Sequence, residues 1–171
     1  MVNRIVKIVL IIAFLGLAVW QFYLVNIGTG ILFVLLMSLV VLSIFKDERI
    51  LWAFYHLRKQ KPEKAQKVLA KIKQPELLIK SQEAYYYYLT GLIESQLNSL
   101  TRAEKYFRKA LNMGLRMKHD QAMAKLNLAG ICMSKRKKRE ATTLLAEAKK
   151  LDKHKLLSDQ IKMLQQQLKR I

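Results

Sequence analysis

The sequence predicts an all-α protein, in which a transmembrane helical hairpin precedes an α-solenoid of three helical hairpins and a C-terminal capping helix. Three observations support this fold class. Two long apolar runs stand near the start of the chain, one amphipathic pattern recurs every 38 residues, and the last stretch has the apolar spacing of a closing helix. The recurring pattern defines most of the architecture.

This pattern is clearest in residues 84–111, which read as two amphipathic helices joined by a short polar turn. Ala103, Phe107 and Ala110 are spaced four and three apart, so they share one face of the second helix. The same face recurs 38 residues before and after, as Ala65, Leu69 and Ile72 and as Ala141, Leu145 and Ala148. Ala53, Gly91 and Ala129 each stand 12 positions before a copy of this face. Three such copies indicate a stacked array of helical hairpins.

The pattern also sets the predicted domain boundaries. The array occupies residues 46–155, with repeats at 46–79, 84–117 and 122–155, and the closing helix occupies 156–171. The apolar residues of the closing helix follow a 4-3-4-3 spacing: Leu157, Ile161, Leu164, Leu168 and Ile171. We expect this helix to cap the last repeat, and a coiled-coil contact is the alternative.

Charge is divided unevenly along the chain. The protein has 31 Lys and Arg against 12 Asp and Glu, a net charge of +19. Residues 1–45 contain only Arg4 and Lys7, which leaves a net charge of +17 for residues 46–171. An apolar segment therefore precedes a very basic domain, whose expected partners are acidic.

The apolar runs Ile8–Val25 and Ile31–Phe45 predict a transmembrane hairpin over residues 1–45, with spans at about 5–25 and 30–46. Trp20 and Tyr23 suit a membrane–water interface. The basic residues on both sides of the hairpin predict that both termini are cytoplasmic, and we expect an integral protein of a bacterial inner membrane. A buried globular hairpin is the alternative. No small-residue cleavage site follows the first run, which argues against a signal peptide.

The hairpins resemble tetratricopeptide (TPR) repeats. The middle copy resembles the family pattern at Tyr87, Gly91 and the Ala103–Phe107–Ala110 face, and the third copy at Ala129, Ala141, Leu145 and Ala148. The first copy matches less closely, through Trp52, Ala53, Ala65, Leu69 and Ile72. The chain departs from the family in its spacing, 38 residues against about 34. It also departs at Glu94, which stands where the family has a buried aromatic residue.

The resemblance implies a concave groove, lined by the first helix of each hairpin, that binds a peptide or helix of another protein. Carried over to this chain, the groove residues are Phe54, Arg58, Tyr85, Tyr88, Leu92, Gln96, Met123, Leu126 and Met133. Tyr85–Tyr88 is the most unusual run, because four consecutive aromatic residues extend around most of a helix and cannot all be core. Either they bind a partner, or Tyr87 packs inside and the others cover neighbouring hairpins.

A basic turn, Lys135-Arg136-Lys137-Lys138-Arg139, is the strongest charge signal. It suits RNA (for example at a ribosome), an acidic protein surface or anionic lipid. A solvated turn without a ligand is the alternative. The cluster contains no aromatic residue and no known RNA-binding motif.

Enzymatic function is not expected. The sequence has no Gly-rich phosphate loop, no metal-ligand spacing and no nucleophile beside a base, so we predict no catalytic residue, metal or cofactor. The single cysteine, Cys132, lies on the apolar side of a helix, as a buried inert thiol does.

The resulting hypothesis is a membrane-anchored, cytosol-facing TPR adaptor or scaffold that binds a protein partner in its groove and recruits or stabilises a complex at the membrane. One alternative is a basic docking module for ribosome, RNA or anionic lipid. Another is an accessory subunit that contacts a membrane complex through its transmembrane hairpin.

Overall fold

The computed structural model describes residues 4–45 and 47–170, without the side chains of residues 4, 5, 7 and 42–45. The predicted start of the hairpin at residues 1–3, the end of its second span at Lys46 and the last apolar residue of the closing helix, Ile171, lie outside the described residues. The described residues form nine α-helices: α1 Arg4–Tyr23, α2 Ile27–Phe45, α3 Glu48–Arg58, α4 Pro62–Leu69, α5 Lys80–Gln96, α6 Leu100–Met113, α7 Lys118–Ser134, α8 Lys138–Leu151 and α9 Ser158–Arg170. A short 3₁₀ turn, Pro75–Leu77, lies between α4 and α5.

The all-α prediction is confirmed for the described residues, which contain helices and no strand and are consistent with a helical solenoid. The chain divides into two compact units, Met1–Glu48 and Arg49–Ile171. The first unit contains the hairpin of α1 and α2, and the second contains the remaining helices.

In the first unit, α1 packs against α2 along a narrow seam. Ala18 is buried at the seam, and the rings of Phe14 and Phe33 approach with centroids 6.2 Å apart. A Cβ on Gly30 would stand 2.9 Å from the ring of Phe22, so a larger residue there would require that ring to shift. Small residues therefore let α1 and α2 approach each other closely near the turn that joins them.

The prediction of two membrane-spanning helices is wrong. Within the part of the chain that the structure describes, every helix falls short of the length or the apolar character needed to cross a membrane. The uncharged part of α1, Ile8–Tyr23, is about 24 Å long, and Gly28, Thr29 and Gly30 leave about 22 Å of apolar helix in α2. The hydrocarbon core of a bilayer is about 30 Å thick. The expected localisation as an integral membrane protein with cytoplasmic termini is therefore wrong as well.

One turn geometry joins the helices of every hairpin in the second unit. Gln60, Asn98 and Arg136 are spaced 38 residues apart and have φ angles of 56°, 59° and 56°. The next backbone N–H in each turn donates to a carbonyl five residues earlier, as in Ser99 to Glu94 at 2.8 Å and Lys137 to Cys132 at 2.8 Å. This is the Schellman arrangement, in which one left-handed residue ends a helix and satisfies its last carbonyls.

The hairpin of α1 and α2 has the same turn, although its sequence lacks the amphipathic pattern of the repeat. Val25 has a φ of 62°, and Asn26 N–H donates to the carbonyl of Gln21 at 3.0 Å. Ala18 stands seven residues before Val25, as Ala53, Gly91 and Ala129 stand seven residues before the other left-handed residues. Gly30 follows the turn at the position of Ala65, Ala103 and Ala141. All four hairpins are therefore built on one local plan.

Small residues let the helices of the second unit approach closely. α5 packs along α6 and α7 along α8, and the small–large–small faces of α6 and α8 are buried, including Ala103, Phe107 and Ala110. In the first hairpin of this unit Ala65 and Leu69 are buried on α4, and Ile72, predicted to lie on the same helical face, is buried beyond the end of that helix. A Cβ on Gly91 would stand 2.9 Å from Cδ1 of Phe107. Between hairpins, α4 packs on α5 and α6 on α7.

The last helix, α9, packs on α8 and contacts α7. The buried carboxylate of Asp152 holds the segment that leads into α9. It accepts hydrogen bonds from the backbone N–H groups of Leu156 at 3.1 Å and Leu157 at 2.8 Å. Leu157, Ile161 and Leu168 are buried. These contacts cover the apolar face that the last hairpin leaves open.

Candidate partner-binding groove

The predicted groove residues lie in three kinds of environment. Exposed ones are Phe54, Arg58 and Gln96; half-buried ones are Tyr85, Leu92 and Met123; buried ones are Tyr88, Leu126 and Met133. The exposed and half-buried side chains are accessible from solvent. The buried groups contribute mainly to the core.

Tyr88 is a core residue. It is 4% exposed, and its ring packs near Phe107 with centroids 6.2 Å apart. Burial raises the pKa of the Tyr88 hydroxyl. Tyr87 is also buried and stacks on Tyr106, and the ammonium of Lys109 lies 3.9 Å from the centre of the Tyr87 ring. The sequence identified Tyr87 as an inward residue but not Tyr88.

Tyr85 connects two hairpins. Its hydroxyl donates a hydrogen bond to the carboxylate of Asp120 on α7, with 2.6 Å between the oxygens. Burial raises the pKa of Tyr85 to about 12, and the bond to Asp120 contributes. The Tyr85 hydroxyl is thus engaged within the array, and part of its ring remains accessible.

A concave, mainly apolar groove opens beside α7. This α7–α9 groove has a volume of about 400 Å³ and is lined by Ser95, Leu100, Met123, Leu126, Asn127, Gly130, Ile131, Ser134, Gln160, Met163 and Leu164. Met123 and Leu126 are the only predicted groove residues in this lining. Ser95 and Leu100 come from the α5–α6 hairpin. Gln160, Met163 and Leu164 come from α9, which the sequence predicted to be a cap.

The chemistry of the α7–α9 groove suits an apolar ligand. Met123 and Met163 have flexible, polarizable thioethers that adapt to differently shaped side chains. A Cβ on Gly130 would meet no atom within 4 Å, so the groove has open space at that residue. Ser134 and Gln160 place polar groups around the apolar lining. This combination of an apolar floor and a few polar groups is typical of ligand pockets.

A second cavity, of different character, lies between α8 and α9. This α8–α9 pocket has a volume of about 620 Å³ and is lined by Lys138, Thr142, Lys162, Gln165, Gln166, Leu168 and Lys169. Of the predicted basic turn, it contains Lys138. The sequence reasoning missed Lys162 and Lys169, although their seven-residue spacing puts them on one face of a helix.

The five residues of the basic turn are not equivalent. Lys135 is half-buried, and its ammonium lies 2.6 Å from a carboxylate oxygen of Glu104. Arg136, Lys137, Lys138 and Arg139 are exposed. Lys135 therefore pairs with a carboxylate of its own chain, and the other four residues present their charge to solvent.

Lys135 belongs to an ion-pair network that joins α6, the turn after α7 and α8. Arg108 pairs with Glu104 at 2.8 Å and also with Glu140. Hydrogen bonds from Lys135 and Arg108 lower the pKa of Glu104, and Arg108 lowers that of Glu140. The same two carboxylates raise the pKa of Arg108. This network connects α6 with the α7–α8 hairpin.

Glu94, the residue that departs from the family pattern, is buried on α5. Its Oε2 lies 3.1 Å from Nε of Arg102, whose side chain is 68% exposed. This oxygen makes no hydrogen bond of good geometry, so the contact is an ion pair without a directional bond. Where the TPR pattern has an aromatic ring, this chain therefore has a buried carboxylate whose charge is compensated by Arg102.

The hairpin of the first unit has an apolar outer surface. Ile12, Val19, Trp20, Leu35 and Leu39 are each 60% or more exposed. Extended apolar surfaces of this kind mark sites that another molecule covers.

Cys132 is fully buried on α7. Burial raises the pKa of its thiol to about 11, and nearby Glu140 contributes, so at neutral pH the sulfur is protonated. In the described part of the chain, His, Cys, Asp and Glu side chains form no group of three that could hold a metal ion.

None of the protein-family models, curated proteins or solved structures compared with the chain matches it.

Proposed function

We propose that this chain is a TPR-like adaptor, in which three helical hairpins closed by α9 hold an apolar segment of a partner protein in the α7–α9 groove. The recurrence of one turn, one buried face and one small residue at 38-residue intervals supports the TPR-like part of the proposal. Arrays of this kind present concave surfaces to peptides and helices of other proteins.

The α7–α9 groove is the observation that carries the proposal. It combines flexible methionines, open space beside Gly130 and polar groups around them. Met163 is 57% exposed, so its side chain is available to a partner. An apolar side chain that enters this groove would remove apolar surface from water, at about 25 cal/mol per Å².

Substitution of Met163 by Glu tests the proposal. A carboxylate in the groove opposes entry of an apolar segment, and we expect Met163→Glu to abolish recovery of the partner by the full chain. Met117→Glu is the matched control, because Met117 is 60% exposed and lies outside the groove. A photo-crosslinking residue at 163 should label the same partner, and one at 117 should not. Equal recovery with both variants, or equal labelling from both positions, would refute the groove as the binding site.

A further inference from the structure

We propose a second binding site, the α8–α9 pocket, for the phosphate backbone of duplex nucleic acid. The site does not overlap the lining of the α7–α9 groove, and the proposal does not depend on the partner that the groove binds.

The two faces of α9 separate the two sites. Ile161 and Leu168 are buried, Met163 lines the α7–α9 groove, and Lys162 and Lys169 line the α8–α9 pocket. Positions 162 and 169 lie about two turns apart on the same side of the helix. One amphipathic helix thus presents an apolar flank to one cavity and a basic flank to the other.

The basic turn and the α8–α9 pocket form one continuous basic face. Lys138 belongs to both, since it follows Arg136 and Lys137 in the turn and also lines the pocket. Arg136, Lys137 and Arg139 are exposed beside it. The two lysines of α9 extend this face across the pocket.

Among the described residues, the three lysines of the pocket form no ion pair. These are Lys138, Lys162 and Lys169, and no Asp or Glu belongs to the described lining. Glu140, the carboxylate nearest to Lys138 in sequence, is paired with Arg108, and Asp159, three residues before Lys162, is not part of the pocket lining. Three lysines therefore line one cavity of about 620 Å³ whose described lining contains no carboxylate.

The composition of the pocket favours phosphate over a protein surface. Lys, Thr and Gln side chains are typical contacts to nucleic-acid phosphates. Lysine is instead depleted in protein–protein interfaces, whose centres are enriched in aromatic residues. The lining contains no aromatic side chain on which an unpaired base could stack, which favours a duplex over a single strand.

The dimensions of the pocket agree with this assignment. Lys162 and Lys169 are about 10 Å apart along the axis of α9, which corresponds to about three base-pair steps of a duplex whose axis runs parallel to that helix, since the rise is about 3.4 Å per step. Lysines act there as point charges, so we expect binding without sequence preference.

Fluorescence anisotropy with labelled 20-base-pair RNA and DNA duplexes of one sequence tests the proposal on the full chain. We expect Lys162→Gln/Lys169→Gln to weaken binding about tenfold or more at low salt and to reduce the salt slope of log K by about two, because two phosphate contacts are lost. Lys64→Gln/Lys67→Gln is the matched control, since both lysines are exposed on α4 and the net charge changes equally. All four substituted side chains are exposed, so both variants should keep the wild-type circular dichroism spectrum.

The outcomes separate the ligand classes. Equal binding of the two duplexes would support recognition of phosphate charge irrespective of helical form, and preference for RNA would support recognition of the A-form backbone. The proposal is overturned if the two double variants lose the same affinity, since binding would then follow net charge. It is also overturned if neither duplex binds, or if polyglutamate or anionic vesicles bind through Lys162 and Lys169 more tightly than the duplexes do.

Discussion

Gly91 and Phe107 depend on each other at the contact between α5 and α6. A Cβ on Gly91 would stand 2.9 Å from the Phe107 ring, which is fully buried and cannot move aside. We expect Gly91→Ala to destabilise the protein by about 1–2 kcal/mol, because overpacking exceeds the gain in helix propensity. Urea unfolding measures this change.

The other two hairpins of the second unit have a different pair of residues at the positions of Gly91 and Phe107, in which a larger first residue faces a smaller second one. Ala53 is matched with Leu69, and Ala129 with Leu145, where the middle hairpin has Gly91 and Phe107. We therefore expect Gly91→Ala/Phe107→Leu to be more stable than the sum of the single variants by about 1 kcal/mol or more. Gly130→Ala is the control, since a Cβ there meets no atom and should stabilise α7 by up to about 1 kcal/mol. Additive single effects would argue against this steric coupling.

Individual residues also show where the sequence is informative. The buried faces were predictable, because small–large–small spacing specifies close helix packing and the structure buries those residues. The burial of Tyr88 was not predictable, because the four consecutive tyrosines differ only in the side of α5 on which they lie. Its position became clear only from the Phe107 ring beside it.

The ion-pair network joins α6 to the α7–α8 hairpin through Glu104. This carboxylate is 13% exposed and accepts from Lys135 at 2.6 Å and from Arg108 at 2.8 Å. We expect Glu104→Gln to lower the free energy of unfolding at pH 7 by about 1–2 kcal/mol, because it removes two charge-assisted hydrogen bonds. Glu147→Gln is the comparison, since its partner Lys125 is a single cation and Glu147 is 44% exposed. We expect a smaller loss there.

The effect of Glu104 should depend on pH in a defined direction. The folded protein lowers the pKa of Glu104 below its ordinary value of 4.5. Its contribution is therefore complete above pH 4.5 and is lost as the pH falls through the lower folded value. The difference between wild type and Glu104→Gln, measured by urea unfolding, should shrink in that acidic range. A difference that stays constant from pH 7 to pH 3 would contradict a charge-based role.

The helical turns explain why the sequence revealed three hairpins of one plan and missed the fourth. The left-handed residues in the turns of the four hairpins are Val25, Gln60, Asn98 and Arg136, and none is the glycine that usually marks such a turn. Away from their turn, α1 and α2 are apolar on nearly all sides, so they lack the amphipathic contrast that reveals a face. The same uniform character led to the incorrect membrane prediction. Only the dihedral angles and the backbone hydrogen bonds show the shared geometry.

Prediction of the α7–α9 groove would have required knowledge of contacts between helices that are distant in the sequence. The resemblance assigned it to the first helices of the hairpins, and Met123 and Leu126 do line the α7–α9 groove. The residues on α9 could not be assigned, because the sequence gives the amphipathic face of a closing helix but not the side on which it leaves an opening. The same limit applies to Lys162 and Lys169 of the α8–α9 pocket.

The division of the molecule at residues 48 and 49 leads to the last prediction. The buried residues from Ile50 to Leu168 form one connected core within the second unit. A fragment of residues 49–171 should therefore fold without the first unit, with a helical circular dichroism spectrum and a single cooperative thermal transition. A fragment of residues 49–156 lacks Leu157, Ile161 and Leu168, and it uncovers apolar surface on α7 and α8. We expect it to melt at a lower temperature, because end helices stabilise stacked hairpins. A fragment 49–171 that is unfolded, or a fragment 49–156 that melts at the same temperature, would contradict a second unit that folds by itself and is closed by α9.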